Sequence, residues 1–382
     1  MKIRIYYIEF FLLLAVFSSV VQFGIYESSA LFPATLIVVS ALLFLKVNYF
    51  NLEKHVLNML GFVALAFVYS LLASLLQQSF EAVVTFGFFT LAAALFTLVG
   101  YNAQFNLRVY YKYFLYICLI VCFMSFLSGF SVYQFKGVYS NENQMGLFAS
   151  VLFGIYLIIL IADSNKESLG YKALLLGSCF VFFIFMLASN SRTSLISALV
   201  PLGLLGLFSA LQLVKFKYYS FWMSKSAAAK FALLALFLCG FYILFNNLGY
   251  VEPIITKFEA TAANGDITSD RAYRWLIALQ YISPIASGQQ LYMGAGVGGV
   301  HNNYLHLSLV FGWIGALLFY TPFIYMLYRS VLEIFNGKDL AAQLCFFSSL
   351  YFIIFSIAEV GSAVFLIWLC FISFGYLLSG RK

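Results

Sequence analysis

The sequence predicts an all-α polytopic membrane protein. The 382 residues are 64% apolar and 9% charged, with a mean hydropathy of +0.97, which leaves too little polar surface to cover a water-soluble globule of this size. Runs of about 18 to 20 uncharged residues recur along the chain, each long enough to cross a hydrocarbon core of roughly 30 Å as a helix. The Lys and Arg residues fall between those runs on alternating sides, as the positive-inside rule requires. The net charge of +7 contains no basic run, so it encodes topology and does not call for a nucleic-acid partner.

About twelve transmembrane helices follow, near residues 5–25, 29–46, 56–77, 82–100, 110–130, 146–162, 172–189, 194–213, 231–248, 304–328, 340–358 and 360–379. The opening "MKIRIYYIEFFLLLAVFSS" has the basic start of a signal peptide, but the apolar run continues without a small-residue cleavage site and reads as an uncleaved first span. Pro201 and Pro322 are the residues able to break spans, and Glu9 is the clear acid inside an apolar run. Cys118, Cys122, Cys179, Cys239, Cys345 and Cys370 all lie in apolar runs and read as core packing. With a cytoplasmic N-terminus, sixteen of the twenty-one Lys and Arg fall on inner segments. The outer segments keep Lys136, Arg192, Lys257, Arg271 and Arg274. An even number of spans then puts both termini in the cytoplasm. Residues 1–382 read as a single transmembrane domain, interrupted by one long loop on the outer side at 249–303. Within that loop "TSDRAYRWLIALQYIS" carries an N-cap signal at Ser269 or Asp270, apolar residues at helical spacing (Trp275, Leu276, Leu279, Ile282) and a stop at Pro284. It predicts a short amphipathic helix at the membrane face.

The outer cations are those that topology alone should have removed. Arg192 stands in "MLASNSRTSLIS", between two apolar spans, where a cation is expensive unless solvated or paired. A snorkelling helix-end Arg is the plainer reading. Arg271 and Arg274 are one helical turn apart, so both guanidinium groups can face the same way, or both can be ordinary solvated charges. Three outward Arg residues suit an anion, and the guanidinium fork matches phosphate oxygens. His301 begins a span on the same side, after a glycine-rich approach from Gly294 to Gly299. An imidazole there can take a proton from a hydroxyl nucleophile, or be a hydrogen-bonding residue and no more. His306 lies on the membrane side of the same helix start and His55 on the inner face, so neither is a better candidate.

Four stretches in order resemble the O-antigen ligase and polymerase superfamily: "FKGVYSNENQMGLFAS" with its Asn-x-Asn, "ASNSRTSLIS", "DRAYRW", and His301-Asn302 followed after nine residues by Gly312-Trp313-Ile314-Gly315. The resemblance covers about residues 135–330 and leaves the first four spans without a signature. It implies a metal-independent glycosyltransferase, without cofactor, acting on undecaprenyl-pyrophosphate-linked glycans at the periplasmic face of the bacterial inner membrane. Arg192 and Arg271 would bind the donor pyrophosphate, and His301 would be the base, oriented with the help of Asn302. Asn143 of the Asn-x-Asn loop is a further substrate-binding expectation, as is Arg274, although the family pattern gives Arg274 no role. The implied partners are the lipid-linked donor, a lipid-linked or lipid A core acceptor, membrane lipids and a chain-length regulator. A polymerase extends the glycan on its lipid carrier, whereas a ligase moves the finished chain onto lipid A core; protein O-oligosaccharyltransferases are a third branch. A transporter or flippase is the reading from another class, but it calls for midplane charges and paired broken helices that this sequence does not display.

Overall fold

The computed structural model describes residues 52–77, 81–101, 105–131, 134–139, 141–162, 168–216, 271–285, 301–336, 340–359 and 364–380, with isolated positions at 252, 255, 256 and 259. These residues form α-helices and no strand: α1 (Lys54–Gln77), α2 (Glu81–Tyr101), α3 (Leu107–Leu127), α4 (Glu142–Ala162), α5 (Leu169–Ala188), α6 (Arg192–Phe216), α7 (Arg271–Tyr281), α8 (Asn303–Phe335), α9 (Leu340–Ala358) and α10 (Val364–Leu378). Seven of them (α1, α3, α4, α5, α6, α8 and α9) are long and apolar enough to cross a membrane, and the apolar stretches Thr90–Tyr101 and Leu366–Leu378 are shorter. The chain is therefore a multi-pass, all-helical membrane protein over its described length. The expected spans at 5–25, 29–46 and 231–248, most of the long loop, Cys239 and Lys257 lie outside the described residues.

With lipid on the outside, no hydrophobic force presses one apolar helix onto another, so close packing and interhelical hydrogen bonds must do so. The α2–α10 contact shows the first. A Cβ on Gly100 would stand 2.2 Å from the Ile372 carbonyl oxygen, and one on Gly375 would stand 2.1 Å from that of Thr97. The two backbones touch where each helix has no side chain. Beside them Phe96 stacks on Trp368 with ring centroids 5.1 Å apart. Buried tyrosines show the second: Tyr156 donates to the Tyr111 carbonyl at 2.9 Å, Tyr111 pairs with Ser373 at 2.9 Å, and Tyr351 pairs with Ser150 at 2.6 Å. These bonds tie α4 to α3, α3 to α10 and α9 to α4. Cys118, Cys122, Cys179, Cys345 and Cys370 are buried free thiols, as core packing requires.

Helix α8 departs from the simple span expected at 304–328. Its 33 residues would measure about 50 Å if straight, well beyond a hydrocarbon core of ~30 Å. It is not straight: Gly312 has φ 72° and ψ 165°, which joins two helical pieces at a break. The break falls at Gly312, while α6 and α8 continue through Pro201 and Pro322. A broken helix frees backbone groups that protein must satisfy at membrane depth. Here the segment after α7 and Tyr69 of α1 do so. Trp313 N–H donates to the Ser283 carbonyl at 3.1 Å, Ile314 N–H to that of Pro284 at 3.4 Å, and the Phe311 carbonyl accepts from the Tyr69 hydroxyl at 2.6 Å. The turn at Ser283 to Ile285 sits so close that a Cβ on Gly312 would lie 2.5 Å from the Pro284 oxygen. Gly315 in turn leaves room for the Tyr69 ring. The first glycine of Gly-x-x-Gly thus marks where the segment after α7 is anchored into α8, and the second where α1 packs against it.

Candidate active site

One end of the bundle collects the start of α4, the α5–α6 turn, the start of α7, the start of α8 and the end of α9. The α5–α6 turn is "Ser189-Asn190-Ser191", with Asn190 at φ 55° in the left-handed region that asparagine tolerates. Ser189 donates to the Met186 carbonyl at 2.7 Å, and the hydroxyls of Ser191 and Ser194 lie 2.9 Å apart. Gly146 of α4 lets this turn approach, since a Cβ there would meet the Ser191 side chain at 2.6 Å. Arg192 is the first residue of α6 and is half-buried. It lies within electrostatic range of Arg271.

Helix α7 is described from Arg271 and ends before Pro284, the expected stop; the N-cap candidates Ser269 and Asp270 lie outside the described residues. The expected apolar stripe divides. Trp275 and Ile282 pack with Ala278 against Leu305 and Leu309 of α8, whereas Leu276 and Leu279 are exposed. Arg271 and Arg274 are both half-buried, so the protein-facing side of α7 is shared between cations and apolar residues. Arg271 reaches the end of α9, donating Nη1 to the Ala358 carbonyl and Nη2 to Glu359 Oε1 at 3.3 Å. A cation at the last carbonyls of a helix is favourably placed against their partial negative charge.

His301 is fixed by the residues that follow it. It has φ 47°, a left-handed conformation, directly before the extended Asn302. Asn302 is the N-cap of α8, its Oδ1 accepting from Leu305 N–H at 3.0 Å. Asn303 donates to Tyr320 at 2.9 Å, Tyr304 donates to the Ile353 carbonyl at 2.8 Å, and the Tyr304 and Tyr320 rings stack at 4.1 Å. The start of α8 is therefore tied to the end of α9, and His301 Nδ1 lies 3.9 Å from Glu359 Oε2. Of the expected residues, Asn143 also reaches this carboxylate, donating Nδ2 to Oε1 at 3.1 Å. Its neighbour Asn141 holds α4 in place by accepting from Gln144 N–H at 3.0 Å.

Glu359 is the residue that sequence reasoning missed. It is buried, and it meets Asn143, Arg271 and His301 from three different segments. The available signal was an acid at the very end of an apolar run on the side already holding three Arg residues. Burial pushes the Glu359 carboxyl up from its ordinary range, against the opposing pull of Arg271. His301 is pushed down, first by partial burial and then by the charges of Arg271 and Arg274. An imidazole so placed stays neutral, and able to accept a proton, to lower pH than a free one. Among the described residues, no cluster of His, Cys, Asp and Glu has the form of a metal site.

The structure thus brings Asn143, Arg192, Arg271, Arg274, His301 and Asn302 to one end of the bundle. Asn302 is engaged as a helix cap and Asn143 with Glu359. Comparison with curated proteins finds no match. The O-antigen ligase family matches residues 177–320, a segment that includes the three Arg residues, His301, Asn302 and the Gly312 break, and excludes Asn143 and Glu359. That match, over a helical membrane framework, supports the resemblance to the O-antigen ligase/polymerase superfamily across residues 177–320.

Proposed function

We propose that the chain is a glycosyltransferase that polymerises undecaprenyl-pyrophosphate-linked repeat units of a bacterial surface polysaccharide, O-antigen or capsule, at the periplasmic face of the inner membrane. The observation that carries this reading is the convergence of Arg192, Arg271, Arg274 and His301 at one end of an apolar bundle. A lipid-borne pyrophosphate and a sugar hydroxyl arriving from water can meet only at such a junction. The guanidinium groups would hold the pyrophosphate and stabilise the charge it gains on leaving, which fixed cations in a water-poor site do well. The acceptor hydroxyl oxygen forms a bond to the anomeric carbon as the bond from that carbon to the pyrophosphate oxygen breaks. The electron pair leaves with the pyrophosphate, and the hydroxyl proton passes to His301 Nε2. With cations supplied by side chains, the step requires no metal ion.

The outward orientation rests on the sixteen-to-five division of positive charge. The family description favours a second reading, a ligase that delivers the finished glycan to lipid A core. Purified enzyme incubated with lipid-linked repeat unit alone separates the two. A polymerase makes a ladder of products; a ligase makes none until lipid A core is added. An enzyme inert under both conditions, and not rescued by other lipid-pyrophosphate donors, would sink the glycosyltransferase reading.

A further inference from the structure

We propose that Glu359 is a positioning residue that couples the base to the donor clamp: one carboxylate oxygen orients and charge-balances His301 while the other holds Arg271. The inference rests on the functional reading above for its meaning in turnover, but not for its geometry. Oε1 accepts from Arg271 at 3.3 Å and from Asn143 at 3.1 Å, and Oε2 faces His301 Nδ1 at 3.9 Å. A closure of about 1 Å would bring Oε2 and Nδ1 to ordinary hydrogen-bond distance. A carboxylate on Nδ1 fixes the tautomer, keeping the proton on Nδ1 and the lone pair on Nε2, where an incoming hydroxyl needs it. When Nε2 takes that proton, the positive ring finds an anion already beside it.

The place of Glu359 explains why the arrangement needs a buried acid. Arg271 and Arg274 from α7 act on His301 electrostatically, and the Glu359 carboxylate after α9 faces it at 3.9 Å; Arg271 also acts on Arg192 of α6, and Glu142 of α4 acts on Glu359. Among the described residues, the imidazolium would without Glu359 form beside Arg271 and Arg274 alone. Glu359 also follows the last residue of α9, whose Ala358 carbonyl is held by the same Arg271. Movement of Arg271 towards a pyrophosphate is therefore sensed at the carboxylate that faces the base.

The test is a titration of His301 in the full-length protein, reconstituted in nanodiscs with ¹⁵N-labelled histidine. The chain has three histidines, and the His301 signals are assigned as those missing in His301→Ala. In Glu359→Gln the His301 midpoint should fall by about one pH unit, because an adjacent anion is lost. Glu359→Asp, which keeps the charge, should recover most of it. An unchanged midpoint in a folded Glu359→Gln protein, judged by an unaltered His55 signal, would overturn the proposal. If Glu359→Gln fails to fold, Glu359→Asp decides, because the shorter side chain draws the carboxylate back from Nδ1: a midpoint lowered below wild type supports the coupling, and an unchanged midpoint overturns it. Catalysis is read separately. If the titration shifts while wild-type enzyme shows no glycan transfer, the geometry stands and the functional reading falls. If both stand, the acidic limb of turnover in Glu359→Gln should move to lower pH by the same amount as the NMR midpoint. A purely structural role would lower the rate without moving that limb.

Discussion

The α2–α10 contact and the meeting of α8 with the end of α9 solve the same problem, holding two helices together in lipid, by opposite means. The first uses absence: Gly100 and Gly375 remove side chains so that backbones touch, and Phe96 and Trp368 fill the space beside them. The second uses directed polar bonds: Tyr304 of α8 donates to the Ile353 carbonyl of α9, and Arg271 of α7 reaches Ala358 and Glu359 at the same end of α9. Close backbone packing is insensitive to pH and to ligands, whereas a polar junction can exchange partners. The difference teaches where chemistry can be placed in such a fold: at the end of the bundle where polar groups are held by other polar groups.

The comparison breaks hardest at His301. His301→Ala should lower turnover by roughly 10²- to 10⁴-fold with donor binding nearly intact, measured as single-turnover glycan transfer beside donor affinity. Near-normal turnover would remove it as base, and lost affinity would move it into the pyrophosphate site. The arginines come next. Arg192→Lys and Arg271→Lys keep charge but lose the planar fork, and each should reduce turnover on the order of 10²-fold. Arg271→Lys should also lower thermal stability, because its two contacts at the end of α9 are lost with the fork. Wild-type rates in both Lys variants would return these residues to helix-end snorkelling.

A change confined to close packing should have the opposite signature. Gly100→Val forces a side chain against the Ile372 and Tyr376 backbone, and overpacking of this kind costs about 1–3 kcal/mol. It should lower the melting temperature while leaving the His301 titration where it was. Gly312→Ala tests the point between the two regimes. The new methyl meets the Pro284 carbonyl, and φ 72° is strained for alanine. Loss of stability together with altered donor affinity would show that the α7 anchor positions Arg271. Loss of stability alone would assign the anchor to folding.

How much of this was legible in the sequence depends on how local each signal is. Apolar runs longer than a bilayer needs, the turn before Arg192 and the Pro stop after α7 are all local, and they placed most described helices within a few residues. The C-terminal end of α8 was missed because Arg329 and Glu333 interrupt the apolar pattern, yet they pair within the helix at 3.0 Å, and α8 continues to Phe335. The Gly312 break depends on a turn about thirty residues earlier in the chain, and no periodicity within α8 announces it. Glu359 is the least legible of all. Its role depends on Asn143, 216 residues away, and in the sequence it is a single acid after a span, no different from one that merely marks a helix end.

The smallest expected effect is also the one that isolates electrostatics from packing. His301 is held down by partial burial first and by Arg271 and Arg274 after it. Arg271 cannot be removed cleanly because it also ties α7 to α9, but Arg274→Gln takes away one cation and keeps a side chain of similar reach. With less positive charge nearby, protonated His301 becomes easier to form. The His301 midpoint should therefore rise by a few tenths of a pH unit, consistent with a partly solvated charge rather than a buried one. The base form is then lost earlier as pH falls, so the acidic limb of turnover should move to higher pH, opposite in sign to the shift expected for Glu359→Gln. Raising the salt concentration should shrink the Arg274 effect far more than the Glu359 effect, since a half-exposed charge is screened and a buried one is not. Shifts of the same sign in the two variants would mean that neither acts on His301 through charge.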